Sequence, residues 1–84
     1  MKHIFSKHAL EQMELRGIDR KTVEKILAKP QQTIIEKGKK IVQSTTPFKA
    51  KPKHLIRIFV NTEKNPNVVI TVYKTSKIDK YYEG

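Results

Sequence analysis

The chain has 84 residues, no cysteine, and 18 Lys and Arg against 8 Asp and Glu, a formal net charge of +10. A chain this short buries only about 60 to 65% of its unfolded surface, so residues 1–84 read as one domain with a small core and no room for a second. The missing cysteines exclude a disulfide framework and a thiolate zinc site, and the basic excess points to a polyanion or an acidic protein, with nucleic acid the leading partner class.

The first ten residues, MKHIFSKHAL, lack an apolar run of signal-peptide length, and no later segment approaches the length of a membrane span. The expectation is a soluble, cytoplasmic protein with no membrane partner. Ser6 is a good N-cap, and Ala9, Gln12, Met13 and Arg16 recur at helical spacing until Gly17 stops the run, which predicts a helix over 6–16. Asp19 caps a second helix whose apolar positions Val23, Ile26 and Leu27 keep helical spacing until Lys29-Pro30 ends it.

After Pro30 the period changes to two. TIIEKGKKIVQSTT reads as two strands around a Lys37-Gly38-Lys39 turn, and HLIRIFVN and NVVITVYKT are the clearest strands, apolar on both faces and so expected at the centre of the sheet. The intervening PFKAKPKH, punctuated by Pro47 and Pro52, is expected to be an exposed loop or sheet edge. The order is ααββββ. It predicts an α+β domain in which two short N-terminal helices pack on a four-stranded, mostly antiparallel sheet.

Alternation places Leu55, Arg57 and Phe59 on one face of their strand, and Val69, Thr71 and Tyr73 on one face of the next. A guanidinium on a central strand is costly to bury alone. Arg57 therefore either pairs with Glu11, Glu14 or Glu24, or lines a cleft that receives an anion. Tyr73 and Lys74 point to opposite faces near the strand end, and Tyr73 also reads as a half-buried core aromatic. His8, in the first turn of the first helix, is either a general base or ordinary decoration of a solvated helix face. His3 and His54 complete no ligand spacing with it, so no metal site and no cofactor are expected.

Lys37, Lys39, Lys40, Lys49, Lys51 and Lys53 precede Arg57 with no acidic residue between them, which makes this stretch the expected phosphate-facing region. His8, Arg57, Tyr73 and Lys74 form a set that metal-independent RNA cleavage can use: a base for the 2′-hydroxyl, a cation for the phosphate and an acid for the leaving 5′-oxygen. The same residues could bind phosphate without reacting.

FSKHALEQMELRGIDRKTVEKILAKP, followed by strands ending VVITVYKTSKID, resembles a bacterial domain family of unknown function. Its members open with a His-Ala helix and an Arg-Gly-Ile junction and close with an Ile-Thr-Val-Tyr-type strand. That family is similar in topology to RelE-like toxins and to the wider barnase, EndoU and colicin ribonuclease group. The resemblance implies a toxin-like, metal-independent ribonuclease with an acidic antitoxin as partner. It carries the helix histidine onto His8 and the arginine before glycine onto Arg16, and puts Arg57, Thr71 and Tyr73 on cleft-forming strands. The tail SKIDKYYEG departs from the pattern by lacking a histidine, so an acid there would have to be Tyr73, Lys74 or Tyr81. A non-catalytic, basic nucleic-acid-binding module and a protein that chiefly engages an antitoxin remain as alternatives.

Overall fold

In the computed structural model, which describes residues 3–46 and 54–82, the chain runs β1 (Ile4–Phe5), α1 (Lys7–Leu15), α2 (Arg20–Ala28), β2 (Gln32–Glu36), β3 (Lys39–Thr46), β4 (His54–Asn61), β5 (Val68–Thr75) and α3 (Ile78–Tyr81). The strands form one sheet in the order β1-β5-β4-β3-β2. Three neighbouring pairs are antiparallel, and β1 lies parallel to β5. The mixed α+β class stands, but among the described residues the sheet has five strands rather than four and there are three helices rather than two. A two-residue strand and a four-residue helix are both too short to show a period in the sequence. The segment 47–53 lies outside the described residues.

Both N-terminal helices start where the sequence caps them. The Ser6 hydroxyl accepts from the Ala9 amide at 3.0 Å and donates to the Ile70 carbonyl at 2.9 Å, so the same residue caps α1 and ties it to β5. The Asp19 carboxylate accepts from the Thr22 amide at 2.7 Å, and this bond holds its carboxyl below the usual carboxylate range.

The Arg-Gly-Ile junction has a purely conformational explanation. Gly17 takes a φ of 65°, its amide donates to Glu14, and the Ile18 amide donates to Met13, which together make a Schellman motif. Ile18 is buried against the same core as Met13, the apolar contact that accompanies such an ending. An added Cβ at Gly17 meets no atom within 4 Å, so Gly17→Ala should cost only the backbone strain, about 1 kcal/mol. Urea unfolding checks this, and a loss near zero would mean that the left-handed turn is not maintained in solution.

Ala9 and Met13 of α1, Val23 and Ile26 of α2, and Ile18 between them pack on Val42, Ile56, Ile58, Val60, Val69 and Val72, with Phe5 and Leu27 at the margin. The helices therefore cover the face carrying the even-numbered residues of β4. Arg57 and its odd-numbered neighbours lie on the opposite face. On β5 the alternation is broken: Phe59 pairs with Thr71 but Val60 pairs with Val69, leaving Ile70 as an extra residue in a β-bulge. The bulge turns Val69 into the helix-side core, so it does not share a face with Thr71 and Tyr73 as uninterrupted alternation would have it.

Candidate functional site

On the face away from α1 and α2, one row of the sheet register runs Gln32, Gln43, Arg57, Tyr73 across β2, β3, β4 and β5. These four side chains form a continuous chain of hydrogen bonds. Gln43 is fully buried and has each of its polar atoms engaged: its Nε2 donates to Gln32 Oε1 at 2.7 Å and to the Tyr81 carbonyl at 3.0 Å, and its Oε1 accepts from Arg57 Nε at 2.9 Å. Arg57 Nη1 in turn donates to the Tyr73 hydroxyl at 2.6 Å. A buried amide that is satisfied on both ends fixes its neighbours in place, so the guanidinium is held in one orientation.

Three rings surround that guanidinium. Its central carbon lies 4.4 Å from the centroid of Tyr81, 5.4 Å from Phe59 and 5.7 Å from Tyr73. Phe59 and Tyr73 stack at 5.8 Å, while Tyr81 meets Tyr73 edge-on at 6.4 Å. Half of the chain's three phenylalanines and three tyrosines are thus gathered around one cation. Cation–π attraction and the tyrosine oxygen lower the cost of burying the charge without neutralising it.

Arg57 is only 9% exposed, and no carboxylate pairs with it among the described residues. Its Nη2 has no hydrogen-bond partner among them either. The expected pairing with Glu11, Glu14 or Glu24 is not made. The one ion pair among the described residues is Arg20 with Glu24, at 3.3 Å on the exposed surface of α2. A recessed cation held by neutral groups is an incomplete electrostatic arrangement that an anion would complete. The Tyr73 oxygen receives its hydrogen bond from arginine, which leaves the phenolic proton available to a bound group.

The other residues singled out in the sequence are dispersed. His8 is exposed on α1, on the helix side of the sheet, so the structure does not bring it to Arg57. Lys74 stands opposite Ile56 in register and shares its helix-side face, turned away from Tyr73 as alternation requires. Arg16 is exposed at the end of α1, where its Nε donates to Gln12 Oε1 at 3.2 Å. Thr71 is half-buried on the Arg57 face, opposite Phe59. Lys37 is exposed in the β2–β3 turn and Lys39 is exposed in the same register parity as Gln43, while Lys40 turns to the helix side. Lys49, Lys51 and Lys53 lie outside the described residues.

A family model matches residues 5–74, which is 70 of the 84 positions. The chain belongs to DUF4258, a domain of unknown function. The DUF4258 match takes in α1, α2, β2, β3 and β4 whole and reaches Lys74 near the end of β5, so Gln32, Gln43, Arg57 and Tyr73 all fall inside it. Tyr81 falls beyond it. No curated protein and no solved structure matches this DUF4258 chain. The match carries the unknown-function-family part of the resemblance; its RelE-like part and a bacterial source draw no support from any match. Among the described residues no helix is long and apolar enough to cross a membrane, and no group of three or more His, Asp or Glu could hold a metal ion.

Gln43 was not legible as a site residue in the sequence, and Tyr81 was legible only as a candidate acid. Gln43 sits in IVQSTT as one polar position in an alternating strand, and only its register opposite Arg57 gives it meaning. Tyr81 stands in a short tail as an alternative acid to Tyr73 and Lys74, and nothing in that segment signals that its ring lies over Arg57. The available signal was a buried-strand arginine without a fixed partner, which obliges the fold to supply neutral hydrogen-bond acceptors from adjacent strands.

Proposed function

We propose that this domain is a toxin-like, metal-independent ribonuclease that holds an RNA phosphate at Arg57 on the sheet face opposite α1 and α2. The single observation that carries the reading is the recessed Arg57, bonded to Gln43 and Tyr73 and paired with no carboxylate among the described residues. RNA supplies the missing anion, and its bases supply flat surfaces for the half-buried rings of Phe59, Tyr73 and Tyr81. Lys37 and Lys39 extend the positive surface toward neighbouring phosphates. The resemblance to RelE-like toxins supports the same class of reaction and an acidic antitoxin as natural partner.

In this reading the RNA 2′-oxygen attacks the adjacent phosphorus, its proton passing to water. The bond from phosphorus to the 5′-oxygen breaks, leaving a 2′,3′-cyclic phosphate and a 5′-hydroxyl. Arg57 stabilises the charge that gathers on the non-bridging oxygens, the part a metal ion would otherwise play. Tyr73 donates its phenolic proton to the departing 5′-oxygen and recovers one from solvent. His8 has no part in it, because α1 packs on the other side of the sheet.

The test is incubation of purified protein with a single-stranded RNA in EDTA, resolved on a denaturing gel beside His8→Ala protein. Wild type should give fragments, and His8→Ala should cut within about twofold of the same rate, since a solvated helix-face residue touches none of the reacting atoms. Loss of cleavage in folded His8→Ala protein would return the chemistry to the helix. The second reading, a non-catalytic binding module, predicts RNA that shifts on a native gel, weakens steeply with salt and stays intact.

A further inference from the structure

We propose that the cavity lined by β1, α2 and β3 binds a small monocarboxylate with an apolar body. This goes beyond the ribonuclease reading and does not depend on it. One row of the sheet register runs Phe5, Val69, Val60, Lys40 across β1, β5, β4 and β3. The two valines at its middle are short and fully buried, whereas the side chains at its two ends are long. On the same side of the sheet α2 presents Arg20, Glu24, Leu27 and Ala28, a stripe at helical spacing. Phe5, this stripe and Lys40 line a cavity of about 560 Å³, a volume within the range of small-molecule sites.

The lining divides by chemistry. Phe5 and Leu27 are half-buried and Ala28 adjoins Leu27, so part of the wall is apolar. Arg20 and Glu24 are exposed and pair with each other at 3.3 Å, and the Arg20 guanidinium lies 4.5 Å over the Phe5 ring. Those two charges are therefore braced at the rim. Lys40 is placed differently. It is half-buried, its register neighbours are the aliphatic Ile35 and Val60, and it makes no ion pair among the described residues. An ammonium so placed lacks a counter-charge, and a bound anion would supply it.

Charge and surface together select the occupant. With His3 neutral, two cations and one carboxylate leave the lining one unmatched positive charge. A monocarboxylate cancels it, whereas a phosphate dianion would bring a second negative charge toward Glu24. Phe5, Leu27 and Ala28 favour a ligand whose body is apolar, because that body removes their surface from water. The cavity lies on the helix side of the sheet, opposite Arg57, so its ligand leaves the arginine site open.

The experiment titrates isotope-labelled protein with cinnamate and follows backbone amide shifts. Cinnamyl alcohol, which has the body without the charge, and acetate, which has the charge without the body, are the controls. Cinnamate should give saturable shifts at Phe5, Leu27, Ala28 and Lys40 with a dissociation constant in the millimolar range, as its size allows. Both controls should bind at least tenfold more weakly, and so should cinnamate to Lys40→Met protein, in which the apolar stem is kept and the charge removed. Ala28→Phe, at an exposed position, fills the cavity and should abolish the shifts even if Lys40→Met does not fold. The proposal is overturned if the cavity residues show no saturable shift, if acetate shifts them as strongly as cinnamate, if the shifts fall on Gln43, Arg57 and Tyr73 instead, or if folded variants bind as wild type does.

Discussion

Tyr73→Phe should lower the rate of RNA cleavage by about 10²- to 10⁴-fold, the range that a positioned general acid contributes, while RNA affinity changes little. The substitution removes one oxygen and leaves the ring that stacks on Phe59 at 5.8 Å and meets Tyr81 edge-on. It also removes the acceptor for Arg57 Nη1, but Nε stays bonded to Gln43, so the guanidinium keeps its orientation. Binding and chemistry should therefore separate. Single-turnover cleavage and equilibrium binding on the same RNA make the comparison, and a folded Tyr73→Phe protein that cuts at the wild-type rate removes Tyr73 from the reaction.

The largest effect on stability is expected at Ile58. It is fully buried at the middle of β4, flanked in register by Val42 and Val72, and belongs to the cluster that α1 and α2 cover. Ile58→Ala deletes buried methyl groups under both helices and should destabilise the domain by about 2 to 5 kcal/mol. For a domain of this size each kcal/mol lowers the melting temperature by roughly 4 to 8 °C, so the loss is large on a thermal scan. A cost below about 1 kcal/mol would mean that the helices do not close over this face.

How much of this was readable beforehand depends on whether the cause is local. Ser6, Asp19 and the Gly17 stop are local, and each marks a helix end within a residue of where the structure has it. HLIRIFVN became β4 residue for residue because its alternation and β-branched content agree. β1 was not legible, since two residues carry no period and its partner β5 lies more than sixty positions away. The bulge at Ile70 was hidden for a related reason: only pairing shows where alternation slips, and it alone moves Val69 to the other face.

The candidate site divides along the same line. Arg57 and Tyr73 were conspicuous as a charge and an aromatic on neighbouring strands, and register sets them opposite each other. Grouping them with His8 and Lys74 failed because a sheet has two sides and residue type does not say which side a helix takes. Arg16 drew notice as a cation beside glycine, yet the Arg-Gly-Ile sequence is accounted for by the way α1 ends. Gln43 and Tyr81 owe their roles to contacts 14 and 24 positions from Arg57 in the chain, which no short motif records.

The central claim is that Arg57 is held for an anion rather than for the fold. Its most direct test is RNA affinity as a function of salt for Arg57→Met protein beside wild type. Methionine keeps length and apolar bulk, and removing a recessed, unneutralised charge is expected to leave stability within about 1 to 2 kcal/mol even though Gln43 Oε1 loses its donor. The account predicts a folded Arg57→Met protein that binds single-stranded RNA at least tenfold more weakly, with a log affinity against log salt slope shallower by about 0.7, the value of one phosphate contact. A folded Arg57→Met protein that binds RNA with unchanged affinity and slope would contradict it and make the guanidinium, its glutamine and its three rings a packing arrangement.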